Sequence, residues 1–438
     1  MNAAERSMGI GLRALRAAAS SPLLDRLRMR ERAEQIVYRA TKTGFRSAAS
    51  VSRTFKATQK LTGPSRQQRS GGGDQFDLTP SDEQQMLIEA ISAFAAEQVR
   101  VKAHAAEEAN ATPQELLTQA QELGLSMLGI PEELGGVMAE RSAVTAVLVS
   151  EALAHGDMGI AYATLAPGAV ASALGLWGDA EQQATYLPAF TGENVPAAAL
   201  ALLEPRPLFD PLALQSSARR DGSDWILDGV KSLVPALAKD ELFIIAANVA
   251  ESGPALFIAE SSTTGLTTEA EPAMGLRAAA TGRLRCESVR LPGRALLGQA
   301  SPDVYTECIH RSRIAWCALA LGTAQAVLDY VIPYIKERTA FGESIANRQA
   351  VAFTVSDIAI ELEGMRLATY RAASLADRGK SFAHEAALAR HLCAEKGMKI
   401  GSDGVQLLGG HGFVKEHPVE RFYRDLRAAG VMEGALLV

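Results

Sequence analysis

Four stretches of this chain carry residues whose type and spacing could do chemistry. Glu433 is followed by Gly434. A carboxylate there could act as a general base; the plainer alternative is a solvated glutamate. Arg338-Thr339-Ala340-Phe341-Gly342, with Gln349 shortly after, offers a fixed cation with a planar fork of donors, suited to a pyrophosphate. The plainer alternative is an arginine at a helix end. Gln406 precedes Gly409-Gly410-His411-Gly412, a turn that lets backbone N–H groups approach a ligand closely, or an ordinary interhelical turn. Arg313 stands among apolar residues and could serve a site or a structural ion pair. Metal chemistry is not indicated. The four cysteines show no CxxC spacing and the seven histidines form no HxxxH pair. The cysteines read as scattered thiols of a reducing compartment rather than a disulfide framework.

At 438 residues the chain is long enough for two or three domains, and 47% hydrophobic with 21% charged residues is a soluble globular composition. The net charge of −6 conceals an asymmetry. Residues 1–70 hold 15 Lys+Arg against 4 Asp+Glu, a net of +11, which leaves 29 against 46, a net of −17, for the rest. An acidic body with a basic arm reads as two regions with different tasks. No nucleic-acid partner is expected. The arm ends at Gly63-Pro64-Ser65 and Ser70-Gly71-Gly72-Gly73, a flexible composition. It reads as a loosely ordered extension, as a cationic membrane-surface helix, or as an Arg/Ser-rich organelle transit peptide.

The elements that must position the four stretches fall into three blocks. Thr79-Pro80-Ser81-Asp82 offers a helix N-cap, a proline at the first helical position and an acid in the first turn. Ile88, Ile91, Phe94 and Ala95 then recur at helical spacing. Met158 to Gly178 runs without a charge, but it is rich in Ala and Gly and holds Pro167, so a buried core helix is expected rather than a membrane span. Near residue 198 the texture changes. Asp221-Gly222 signals a hairpin, and short apolar runs follow at 242–245, 255–258 and 289–291. From about 303 the pattern is helical again, with Ile358, Leu362 and Met365 as one buried stripe. Trp316 and Phe353 are expected in the core, and His104, His155 and His411 in structural roles. The fold class is α+β: a basic extension and linker (1–75), an N-terminal helical domain (76–197), a middle β-domain (198–300) and a C-terminal four-helix bundle (301–438).

The motifs together resemble the acyl-CoA dehydrogenase family. Arg338 to Gly342 with Gln349 is similar to its Arg-x-x-Phe-Gly…Gln element, and Gln406 to Gly412 to its Gln-x-x-Gly-Gly-x-Gly turn. Pro418-Val419-Glu420-Arg421-Phe422-Tyr423-Arg424-Asp425 resembles the segment before its catalytic glutamate, which puts Glu433-Gly434 at the position of the family's Glu-Gly pair. Gly275-Leu276-Arg277 and Val289 to Pro292 look like its substrate-side strands. The resemblance implies that Glu433 removes the α-proton of an acyl-CoA thioester while a β-hydride passes to FAD, giving a trans-2-enoyl-CoA in fatty-acid or related catabolism. It implies that Arg338, Phe341, Gln349, Gln406, Gly409 and Gly410 hold the flavin of a neighbouring subunit, and that Arg313 lies on the substrate side. It further implies an electron-transfer flavoprotein as redox partner and a homo-oligomer (dimer or tetramer) or heteromer. A cytoplasmic bacterial enzyme, possibly held at a membrane through the basic arm, is expected, with the mitochondrial matrix as the alternative.

The departures cluster on the flavin side. The family's Thr-Glu-Pro-x-x-Gly-Ser-Asp reads Leu203-Glu204-Pro205-Arg206-Pro207-Leu208-Phe209-Asp210. Its Lys-x-Trp/Phe-Ile-Thr/Ser reads Lys231-Ser232-Leu233-Val234-Pro235. Two hydroxyls and an aromatic wall become Leu203, Leu233 and Pro235, and Phe209 takes a serine position. A flavin-poor subunit of a heteromer and a non-catalytic acyl-CoA-binding scaffold therefore stand as alternatives.

Overall fold

In the computed structural model, residues 79–438 are described apart from 137–140, 193, 237–240, 251, 299–300 and 435. The basic arm, and with it the membrane and targeting expectations, lies outside the described residues. The first helix, α1, runs Asp82–Phe94, and Ser81 is its N-cap in a capping box with Gln84. The cap is thus Ser81 rather than Thr79, and Pro80 precedes it, because Ser81 and Gln84 satisfy each other's exposed N–H groups. After one wide turn, α2 covers Arg100–Ala109 and α3 covers Gln114–Glu122. Two apolar helices follow, α4 (Ala143–Ala154) and α5 (Met158–Trp177), then α6 (Ala180–Phe190). The uncharged stretch is indeed the core helix α5, almost wholly enclosed by the protein.

The middle of the chain is an eight-stranded sheet: β1 (Ala198–Ala201), β2 (Ser217–Asp221), β3 (Asp224–Val234), β4 (Leu242–Val249), β5 (Gly253–Glu260), β6 (Leu266–Ala270), β7 (Gly282–Leu291) and β8 (Leu296–Leu297). The order is β6-β7-β3-β2-β4-β5-β8, with β1 pairing in parallel to the start of β4. β2 and β3 form the hairpin expected at Asp221-Gly222, where Gly222 supplies the positive φ of the turn. Alternation sorts the faces. Leu242, Ile244 and Ala246 meet α5 and α6 on one side, while Phe243, Ile245 and Ala247 build a second core with Trp225 and Leu227.

The C-terminal part begins with α7 (Pro302–Glu337), whose N-terminus is capped by Ser301 with Pro302 in the first turn. A small hairpin, β9 (Thr339–Ala340) and β10 (Glu343–Ser344), turns the chain into α8 (Gln349–Asp377). Then come α9 (Ala383–Leu408) and the short pair α10 (Val419–Leu426) and α11 (Ala428–Val431). Trp316 is fully buried, as expected. Phe353 is not: it stands 59% exposed on α8. Ile360 and Leu367, seven and fourteen residues on, are exposed beside it, so α8 has an outward apolar seam as well as the buried stripe of Ile358, Leu362 and Met365. His155 takes a structural place, with Arg100 and Asp329 against its ring.

Candidate active site

Glu433 sits just after α11 and is buried. Two arginines hold its carboxylate. Arg313 of α7 reaches it with Nε on Oε2 at 3.1 Å and Nη2 on Oε1 at 3.1 Å. Arg390 of α9 places Nη2 on the same Oε1 at 3.0 Å and donates its Nη1 to the carbonyl of Ala429 at 2.6 Å. Burial pulls the Arg390 guanidinium below the usual arginine range, against the opposing pull of Glu433. The structure thus brings Glu433 and Arg313 together and adds Arg390, which sequence reasoning missed. A charge inside the Ala386, Ala389, Cys393 and Ile400 face of α9 was the available signal.

The residue after the acid explains its type. Gly434 has φ of +74°, and a Cβ there would meet the Leu202 Cβ at 2.6 Å. Only glycine lets the backbone take the left-handed turn and press onto Leu202. Its carbonyl accepts from Trp316 Nε1 at 2.8 Å. The Trp316 ring packs on Tyr162 with centroids 4.9 Å apart, and the Tyr162 hydroxyl donates to the carbonyl of Leu233 at 3.0 Å. An aromatic bridge therefore ties the Glu433 segment to the end of β3.

That end of β3 rests on a buried ion pair. Lys231 is fully buried, and its Nζ donates to Glu204 at 3.0 Å and to the carbonyl of Leu202 at 3.3 Å. Burial pushes the Lys231 ammonium down to about 8, opposed by Glu204. Burial would lift Glu204, but Lys231 and the backbone N–H groups of Gln215 and Ser216 outweigh it and hold the carboxyl low.

The other predicted site residues lie elsewhere. Arg338, Phe341, Gln349, Gln406, Gly409 and Gly410 are all exposed, Phe341 at 96%. They share one end of the helical bundle, where the Tyr334 hydroxyl donates to the carbonyl of Leu408 at 3.3 Å and meets His411 at 2.9 Å. A Cβ added at Gly342, Gly409 or Gly410 would meet nothing within 4 Å, so this edge is open to a ligand. Arg338 is 25 residues beyond Arg313, or about 37 Å along α7. One chain therefore separates its open cationic edge from its buried glutamate.

A dinucleotide fits the two regions unequally. The open edge offers the Arg338 fork and unobstructed glycine backbone, suited to a pyrophosphate. The β3 side offers apolar walls but few free donors. The N–H of Leu233 donates to Glu271 at 2.9 Å, the N–H of Ser232 donates to the carbonyl of Leu203 at 2.8 Å, and Pro235 has no N–H.

Comparison with known proteins agrees with this layout. Residues 81–193 match the family model for the acyl-CoA dehydrogenase N-terminal domain, and residues 303–436 match that for the C-terminal domain. The short/branched chain specific acyl-CoA dehydrogenase of Rattus norvegicus mitochondria is 32% identical over 365 residues, covering 81% of this chain and 83% of its own. The butyryl-CoA dehydrogenase of Megasphaera elsdenii superposes with a TM-score of 0.75 at 26% identity, over 82% of this chain and 96% of its own. A chain from work on the electron transferring flavoprotein of Acidaminococcus fermentans gives 0.76 at 28%, again over 82% and 96%. The chain belongs to the acyl-CoA dehydrogenase family. It is an oxidoreductase with that family's helix, sheet and helix order.

Proposed function

We propose that the protein carries out α,β-dehydrogenation of an acyl-CoA thioester to a trans-2-enoyl-CoA, with FAD as cofactor and an electron-transfer flavoprotein as electron acceptor. The observation that carries the reading is Glu433: a buried carboxylate, anchored by Arg313, at the position of the family's base. When bound, the flavin supplies the acceptor for the β-hydride. The chain's own residues do the rest. Glu433 takes the α-proton, Arg313 holds and aims its carboxylate, and the Tyr162–Trp316 bridge fixes the Gly434 turn against β3. Arg338, Phe341, Gln349, Gln406, Gly409 and Gly410 would hold the nucleotide end of the cofactor in a second copy. A separation of about 37 Å along α7 supports this division, and the Phe353, Ile360 and Leu367 seam offers an apolar face for such a copy. The family relationship and the butyryl-CoA dehydrogenase likeness support the substrate class.

The test is the visible spectrum of the purified protein on titration with acyl-CoAs. Bleaching by one of them is expected, and Glu433→Gln should bind that ligand yet bleach at least about 100-fold more slowly. A variant that bleaches as fast as the parent would remove Glu433 from the chemistry. The second reading is a heteromer subunit that lends Arg338 and Gln406 to a neighbour. The occupied backbone groups around Leu203 and Leu233 favour it. A protein that stays colourless with added FAD, but gains flavin with a companion chain, would select it.

A further inference from the structure

The carboxylate of Glu433 has about four acceptor positions, two on each oxygen. Arg313 fills one on each: Nη2 donates to Oε1 at 3.1 Å and Nε to Oε2 at 3.1 Å. Arg390 adds a second cation on one side only, its Nη2 forming an ion pair with Oε1 at 3.0 Å. Without Arg390 the two oxygens would face the same single cation. With it, Oε1 lies against two cations and Oε2 against one, which leaves Oε2 the more basic oxygen. Arg390 is itself fixed, because its second nitrogen donates to the carbonyl of Ala429 at 2.6 Å, four residues before the acid. Removing Arg390 would leave both the carboxylate and the α11 end without that tether.

We propose that Arg390 is a positioning residue for Glu433: by pairing its charge with Oε1 it makes Oε2 the oxygen that takes the α-proton. The inference rests on the reading of Glu433 as the base. It assigns a role to α9 in the proton transfer, beyond its packing. The charged and titratable groups facing the carboxylate are Arg313, His310 and Tyr305 from α7 and Arg390 from α9. Of these, Arg390 is the cation that does not share the bidentate geometry of Arg313, so its removal should change orientation and charge without breaking the Arg313 bonds.

The experiment reads proton abstraction alone. The full-length protein is incubated in D2O with 3,3-dimethylbutanoyl-CoA, which has α-hydrogens but no β-hydrogen to lose, and α-deuteration is followed by NMR. Arg390→Met should exchange about tenfold or more slowly at saturation with little change in KM, since orientation rather than binding is lost. Arg390→Lys, which keeps the cation, should recover most of the rate. Should Arg390→Met not fold, Arg390→Gln, which keeps a donor without the charge, should still be slowed with KM little changed. A variant lacking the guanidinium whose exchange rate matches the parent, or whose loss appears in KM alone, overturns the inference, even if its stability falls. Glu433→Gln separates the failures: exchange unchanged in that variant, or absent from the parent, removes the base reading itself and this inference with it.

Discussion

Replacing Lys231 by methionine tests the foundation under β3. The ammonium is fully buried and has two acceptors, Glu204 at 3.0 Å and the Leu202 carbonyl at 3.3 Å. Methionine fills most of the volume but leaves Glu204, itself buried, without its cation. Breaking one side of a buried pair costs about 3–5 kcal/mol. Here Glu204 keeps the N–H groups of Gln215 and Ser216, and Arg206 Nε lies 3.6 Å away, so the low end applies, about 3 kcal/mol. For a fold of this size that corresponds to a melting point lower by roughly 4 °C, measured by scanning calorimetry. Adding Glu204→Gln should recover part of the loss, because the stranded charge is gone. There is also a pH signature. The ammonium sits at about 8 in the folded protein, below its ordinary value. Folding therefore expels a proton in this range, and parent stability gains as pH rises from about 8 towards about 10.5. Lys231→Met should lack that gain. A single variant within 1 kcal/mol of the parent, or a double variant that loses the full sum of both singles, would refute the ion-pair account.

Two other perturbations reach the site from different sides. Gly434→Ala must put a Cβ 2.6 Å from the Leu202 Cβ at a φ of +74°. Strain and overpacking together should cost about 2–5 kcal/mol, and Trp316 fluorescence should report the loosened turn; an unchanged urea midpoint and emission would show that the segment yields freely. Asp425 accepts from the Leu276 N–H at 2.6 Å, and burial, reinforced by Asp157, pushes its carboxyl up to about 8. Its folded value lies above the unfolded one, so its stabilising contribution is complete below about pH 4 and is lost as pH rises through about 8. Asp425→Asn should flatten the decline of the urea midpoint between pH 5 and pH 9, and parallel curves for variant and parent would count against this assignment.

Local signals carried far in this chain. The start of α1, the Asp221-Gly222 hairpin and the buried α5 all follow from capping, turn chemistry and an uncharged run. The family resemblance put Glu433 at the position of the base, and the structure buries it against Arg313. What stayed hidden depends on pairing across long separations. Arg390 meets Glu433, and Lys231 meets Glu204, only because helices and strands distant in sequence are packed together. Nothing in the local run around Arg390 shows which way the guanidinium faces. Phe353 failed for a related reason: α8 carries apolar residues on two faces, and periodicity alone does not tell a core stripe from a seam awaiting a partner.

The distance along α7 has a genetic meaning. In the proposed assembly, each chain supplies the base of one centre and the cofactor edge of another. A copy lacking Glu433 and a copy lacking Arg338 would each be inactive alone, yet a mixed pair would contain one centre built entirely from intact halves. Two defective alleles could thus complement each other, while a single defective allele would harm centres whose own base is sound.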